Sequence, residues 1–170
     1  MVVKIVVLGD THIRFAKEIP REILDEILKS DWLIHVGDFI SLEFLNYLIE
    51  LKGDHFKGVY GNADPQGIVN LLRSKEIFEI LGKRIGITHP ASGGPYETVK
   101  NRVKMAFRKD DVDIMIYGHT HEPKINYMGN SLLISPGKGY LETHYFGPPT
   151  TIAIILIDNK IKVKIKEITC

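Results

Sequence analysis

Asp10 with His12, Asp38, Asn62, His89, and His119 with His121 are the side chains whose types and spacing could do chemistry together. They sit in short polar clusters, Gly9-Asp10-Thr11-His12, Gly37-Asp38, Gly61-Asn62-Ala63-Asp64 and Gly118-His119-Thr120-His121, and the first three directly follow apolar, β-branched runs. Carboxylate, imidazole and amide groups at the ends of neighbouring strands converge in space, and a glycine beside them lets the backbone turn where a side chain would obstruct it. The chemistry is that of a metal site, and its consequence is metal-assisted hydrolysis. Asp10 and His12 are two apart, as are His119 and His121, and in extended backbone such residues project to the same side. Asp38 has two carboxylate oxygens with which to bridge two cations, and Asn62 can coordinate through its amide oxygen without adding charge. Hard oxygens mixed with imidazoles suit manganese, iron, zinc, nickel or cobalt better than calcium. Singly, each residue has a plainer reading: a turn aspartate, a helix cap at Asp38, a left-handed turn at Asn62, a satisfied strand-end His89. The ordered set is what points to a metal.

The elements that must position these residues alternate. Val2 to Leu8, Trp32 to Val36 and Phe56 to Tyr60 read as buried strands, separated by a helix from Pro20 to about Lys29 and another capped by Ser41 and ended by Gly53. That order predicts a parallel sheet with right-handed crossovers, whose sites form outside the carboxyl ends of the strands. A helical stretch near Ile68 to Leu72 follows. Next come strands Ile77 to Ile80 and Arg84 to Thr88, a helix from about Pro95 to Arg108, and a strand Ile114 to Tyr117. The remainder, Lys124 to Tyr127, Leu132 to Ser135, Thr151 to Ile157 and Lys160 to Glu167, reads as antiparallel strands of a second sheet with turns at Gly129-Asn130 and Asp158-Asn159. The Gly- and Pro-rich stretch from Pro136 to Pro149 is expected to border the site.

The 170 residues suit a single domain, 1–170, and with 44% hydrophobic and 25% charged residues the composition is that of an ordinary globule. No apolar run approaches the roughly 20 residues of a membrane span. Met1 to Leu8 reads as a strand rather than a signal peptide, which places the protein in the cytoplasm. The one cysteine, Cys170, excludes an intrachain disulfide and a thiolate cluster, so any metal is held by oxygen and nitrogen. A net charge of +1 disfavours capture of a nucleic-acid polymer or an anionic membrane by bulk charge.

The ordered set resembles the calcineurin-like metallophosphoesterases, and in size and motif spacing their small YfcE-type phosphodiesterase branch, over Gly9 to about Gly137. The resemblance implies a four-layer α-β-β-α sandwich, an α/β fold of two mixed sheets flanked by helices. It implies two divalent metal ions, one held by Asp10, His12, Asp38 and His121 and the other by Asp38, Asn62, His89 and His119. Asp38 would be the bridge, and Asn62 would also orient the phosphate. The implied activity is phosphodiester hydrolysis by a metal-bridging hydroxide on a small-molecule diester. The alternatives are a phosphomonoesterase and a protein-interaction scaffold like the superfamily's retromer subunit, which has lost ligand residues. Homo-oligomerisation is left open.

This chain departs from the family pattern in three places. Pro90 and Ala91 follow His89 where the family has glycine and often a further histidine. Ser135-Pro136-Gly137-Lys138 replaces Asn-Pro-Gly-Ser, and Ala63 stands where larger relatives carry histidine, so the proton donor to the leaving group is unidentified. His35 reads as a core residue, His55 as a surface one, and Asp64 as a cap for the helix at Pro65 or a chemical group. His144, with Lys138 and Tyr140, is the candidate substrate contact of the long loop. Lys160, Lys162, Lys164 and Lys166 read as a solvated strand face.

Overall fold

Strand β1 (Val3–Leu8) buries both of its faces, which is why it reads as an unbroken apolar run rather than an alternating one. Val3, Ile5 and Val7 point to one side, Val6 and Leu8 to the other. The computed structural model describes residues 1–92, 94–141 and 147–169. In it β1 pairs in parallel with β2 (Trp32–His35), and β2 with β3 (Phe56–Gly58). The crossovers are α1 (Arg21–Leu28) and α2 (Leu42–Lys52). Ser41 caps α2 by accepting the Phe44 N–H at 3.1 Å, and Gly53, at φ 54°, ends it.

The helix α3 (Gln66–Leu71) leads into the second sheet: β4 (Lys75–Ile80), β5 (Lys83–Thr88), β6 (Ile114–Tyr117), β7 (Pro123–Met128) and β8 (Ser131–Pro136). Its spatial order is β4-β5-β6-β8-β7, with β5, β6 and β8 parallel. The last strands, β9 (Thr151–Ile157) and β10 (Ile161–Glu167), complete the first sheet, ordered β10-β9-β1-β2-β3. The four C-terminal strands therefore do not form one sheet of their own. Each hairpin is antiparallel as expected, but β8 joins β6 and β9 joins β1, pairings that local periodicity does not encode.

The two sheets face each other across a core of Ile5, Val7, Ile34, Ile87, Ile116, Ile134 and Ile155. Helices α1 and α2 cover the outside of the first sheet through Ile23, Ile27, Leu45 and Leu48. The helix α4 (Val99–Ala106) covers the second through Val99 and Val103 against Met115, Tyr117 and Leu133. This is the expected four-layer sandwich of two mixed sheets flanked by helices. Two elements are shorter than their sequence predicts. Strand β3 stops at Gly58, beyond which Val59 makes one isolated bridge to Arg73. The segment from Pro95 begins as a 3-10 turn, Tyr96–Thr98, in which Thr98 Oγ1 donates to the Pro95 carbonyl at 2.8 Å, and only then becomes α4.

Candidate metal centre

The parallel strands β1, β2 and β3 deliver Asp10, Asp38 and Asn62 to one edge, and β5 and β6 deliver His89, His119 and His121 to the same place. The structure thus brings together all seven residues of the expected ligand set. Asp38 Oδ2 stands 3.6 Å from His12 Nε2 and 3.5 Å from His89 Nε2, between one imidazole of each half. Asp10 Oδ1 lies 3.3 Å from His121 Nε2 and 3.9 Å from His89 Nε2. Asn62 Oδ1 is 3.1 Å from both His89 Nε2 and His119 Nδ1. Asp10, His12 and His121 form one group able to hold an ion, and Asp10, Asp38 and His89 another. Asp10 therefore reaches towards both halves.

The local backbone is not extended here. Asp10 (φ 48°), His12 (48°), Asp38 (62°), His119 (89°) and His121 (60°) all occupy the left-handed region. Projection of i and i+2 along a strand is thus not what makes each pair converge; alternate left-handed turns do that. Asp and His tolerate this region better than branched residues, yet each such residue costs about 1–2 kcal/mol. Strain of this kind persists where surrounding contacts over-determine it. Those contacts are visible: Asp10 N donates to Gly37 O (2.9 Å), His12 N to Asp38 O (3.1 Å), and His119 N to Asp10 Oδ2 (3.0 Å). Two glycines give way to the site. A Cβ on Gly61 would fall on the Asp38 carboxylate, and one on Gly118 would lie 2.8 Å from His89 Nδ1 and 2.7 Å from Val36 O.

Asp64 does not cap the helix that follows Pro65. Its Oδ2 accepts the N–H groups of Asp38 (2.9 Å) and Gly61 (2.7 Å), and its Oδ1 that of Ile40 (2.8 Å), so it staples the Asp38 turn to the Asn62 turn. Burial raises its carboxyl above the ordinary value, against the pull of those three donors. His35 is wholly buried, stacked on Phe39 with centroids 3.7 Å apart. Gly37 N donates to its Nδ1 at 3.2 Å, so in the neutral ring Nε2–H is left to donate to Thr11 Oγ1 at 2.9 Å. Burial pushes its pKa down to about 3, which keeps it neutral. His55 lies on the surface against Trp32. His144 lies outside the described residues.

The electrostatics fit a cation. Asp10 and Asp38 are 1% and 2% exposed, and Asp10 Oδ1 and His12 Nε2 are buried without a hydrogen bond. His89 Nδ1 faces the Val36 carbonyl at 2.7 Å, and a carbonyl can only accept, so Nδ1 carries the proton. The neutral ring then turns the lone pair of Nε2 towards Asn62 Oδ1, Asp38 and Asp10, acceptors all. Such a cluster is stable only with positive charge among its members. Burial raises the Asp10 carboxyl, but the contact with His121 and the backbone N–H of His119 outweigh it and hold the group below its usual range. The contact with Asp10 in turn raises His121, against the opposing effect of burial. His119 is lowered, first by burial and then by His89.

Around the centre, Tyr96 and Arg102 carry no ligand-type signature in the sequence, whereas Tyr140 and Lys138 belong to the long loop that the sequence singles out. The Tyr96 ring lies 5.0 Å from that of His119. The Tyr140 ring lies 5.5 Å from His12 and 5.9 Å from His121, with Lys138 Nζ 4.7 Å above its face. Arg102 donates to the carbonyls of Pro90, Ser92 and Pro95, bracing the segment that follows His89. Tyr96 follows a glycine pair and Pro95 just downstream of a strand-end histidine, which is the one hint the sequence offers.

The model of the calcineurin-like phosphoesterase superfamily domain matches residues 3–160. A probable metallophosphoesterase of Methanocaldococcus jannaschii is 37% identical over 134 residues, 77% of this chain and 65% of that protein, so the match spans just under two thirds of that relative. A phosphodiesterase of the same organism is 31% identical, with 81% of this chain and 86% of that protein covered. Among solved structures, vacuolar protein sorting 29 of Cryptosporidium parvum superposes with a TM-score of 0.74 over 99% of both chains at 18% identity, a likeness of fold. With the match over residues 3–160 and these identities, the chain belongs to the calcineurin-like phosphoesterase superfamily.

Proposed function

We propose that this chain is a divalent-metal-dependent phosphodiesterase, with its centre held by Asp10, His12, Asp38, Asn62, His89, His119 and His121 and with Asp38 as the bridge. The observation that carries this reading is the convergence, at the carboxyl ends of neighbouring strands, of two buried carboxylates and an amide oxygen with the imidazoles of His12, His89, His119 and His121. When bound, two divalent cations would lower the pKa of water towards neutrality and offset charge on the phosphate oxygens, so that no protein nucleophile is needed.

The chain's own residues do the positioning. The Val36 carbonyl fixes the His89 tautomer, as a partner on the far nitrogen does for ligating histidines in general. The Ala63 N–H pins Asp38 Oδ1 at 2.8 Å and leaves Oδ2 to face His12 and His89. Asn62 keeps an amide N–H₂ that can donate to a phosphate oxygen once its Oδ1 is engaged.

Two further points support a diester over a monoester. Two divalent charges against Asp10, Asp38 and one deprotonated water leave a small positive excess, suited to a singly charged phosphate. Ala63 also offers no side chain to protonate a leaving group, and such help is worth about 10²–10⁴ in rate. Aryl leaving groups suffer least from its lack. Steady-state kinetics on an aryl diester, the matching aryl monoester and an alkyl monoester, each with manganese, nickel, cobalt, iron and zinc, test the reading. The aryl diester is expected to be cleaved most efficiently. Equal or greater efficiency on the alkyl monoester overturns the diesterase assignment, and silence with every metal favours a scaffold.

A further inference from the structure

A cleft of about 710 Å³ opens beside the centre, between the end of β5 and α4. It is lined at one end by Thr88, His89 and Pro90 and along α4 by Asn101, Arg102 and Met105, with Ser74, Ser92 and Thr98 adding hydroxyl groups. Its volume is that of a small-molecule site. Two cations line it, and they differ. Lys75 Nζ is paired with Asp110 (2.8 Å) and the Ala106 carbonyl (2.8 Å). Arg102 gives its hydrogen bonds to three neutral carbonyls, its Nε is buried without a partner, and among the described residues no carboxylate lies within ion-pair distance of it. No Asp or Glu lines the cleft among the described residues.

Carbonyls orient a guanidinium without cancelling its charge, and arginine does not deprotonate in proteins. A cleft with one uncompensated charge and low-dielectric walls focuses its field on whatever enters. We propose that this cleft is a subsite for a second anionic group, a carboxylate or phosphate on one ester arm of the substrate, with Arg102 as its charge and the hydroxyl and amide groups of Ser92, Thr98 and Asn101 as its neutral donors. Tyr96, exposed and with its ring tilted against that of His119 at 5.0 Å, offers a face for a planar arm. The subsite rests on the diesterase reading for the position of the reacting phosphate, while the anion site itself does not.

The experiment separates the two. With metal present, kcat/KM for methyl 3-carboxyphenyl phosphate is compared with that for the uncharged analogue methyl 3-carbamoylphenyl phosphate. The carboxylate substrate is expected to be preferred by about tenfold, the scale of one charge-assisted contact. Arg102→Met should bring the ratio to about one. Because that variant also unbraces the segment after His89, Asn101→Asp provides a second test: it adds a carboxylate to the cleft without touching any bond of Arg102, and should lower the ratio on its own. In metal-free protein, 3-hydroxybenzoate and 3-hydroxyphenyl phosphate should shift the amide resonances of Ser92, Thr98 and Asn101 while 3-hydroxybenzamide does not, and the tighter of the two anions names the preferred one. Diester hydrolysis with a ratio near one in the wild type, or a ratio unmoved by both variants, overturns the subsite and leaves the diesterase reading standing. Anion binding in the cleft without hydrolysis of any ester sustains the subsite and removes the diesterase reading.

Discussion

Two clusters of acidic side chains in this molecule look alike in the sequence and behave oppositely in the fold. On α1, Glu22 and Glu26 meet Lys166 of β10 at 2.9 and 2.8 Å, and Glu26 also meets Lys4 of β1 at 2.6 Å. Every carboxylate there has an ammonium partner, and the backbone is regular helix and strand. At the carboxyl ends of β1 and β2, Asp10 and Asp38 are buried in left-handed backbone, and their ion-pair partners among the described residues are imidazoles. The first cluster is complete as folded and serves as a staple. On the proposed function the second takes its compensating charge from a bound metal, which would be the physical difference between an ion-pair network and a ligand set.

The sharpest way to break this comparison is to remove one carboxylate from each cluster. Asp38→Ala is expected to lower phosphodiester hydrolysis by more than about 10³-fold and to empty both metal positions, because Asp38 Oδ2 faces both halves. Elemental analysis of purified variant protein measures the loss. Two metals retained in full would reject Asp38 as the bridge, whereas Glu26→Gln should retain both.

Protons should compete with metal in the second cluster and not in the first. The contact with Asp10 raises His121 above the ordinary imidazole value, so a metal must compete there with a proton held more tightly than usual. Metal binding to the metal-free protein at pH 7 is therefore expected to release protons, read by calorimetry in buffers of different ionisation enthalpy. As pH falls below about 6.5, the ordinary histidine value, activity and metal content should decline together. Full metal content at pH 5 would exclude a histidine-built centre of ordinary affinity.

A smaller effect is expected where the ligand turns are held rather than where the metal is held. Asp64 is not one of the seven candidate ligands, but it binds three backbone N–H groups of the Asp38 and Asn62 turns. Asp64→Asn replaces one acceptor oxygen by a donor that must face those N–H groups, and should weaken metal binding by about 10–100-fold. Metal titration of the folded variant decides it. An unchanged affinity with a lowered melting temperature would make Asp64 a structural residue alone.

The candidate ligand set was legible because its clusters follow apolar runs and, His89 apart, open on a glycine, so strand ends could be placed from Asp10, Asp38, Asn62 and His89. The parallel order of β1, β2 and β3 followed from the alternation of runs and helices. The backbone of the site was not legible: spacing of two suggested extended pairs, and the left-handed turns at Asp10, His12, His119 and His121 depend on contacts from other loops. Strand partners across the sheets were hidden for a related reason, since β9 carries the same apolar pattern whether it pairs with β1 or with β8. Asp64, Arg102 and Tyr96 act through neighbours distant in sequence or through backbone groups, and residue type alone does not reveal such contacts.

Lys166 gives the smallest effect and the cleanest sign. Its sequence neighbours Lys162 and Lys164 face solvent as the alternation on this edge strand predicts, but Lys166 is half-buried and turned onto α1. The hydrogen bonds from Lys166 first, then from Lys4, hold the Glu26 carboxyl down at about 2, against an ordinary value of 4.5. A carboxyl depressed on folding contributes stability that is present above its unfolded value and lost as pH falls through the folded one. Glu26→Gln is therefore expected to lower the melting temperature above about pH 5, with the gap to the wild type narrowing continuously towards pH 2. Water screens the pair, so the loss should be about 1 kcal/mol or less, a shift of no more than about 2–4 °C. Thermal melts of the metal-free proteins at pH 7 and pH 3 measure it without interference from the metal centre. A gap that widens on acidification would mean that Glu26 is not held by Lys166 and Lys4, and the staple would then be no more than packing of α1 on the sheet.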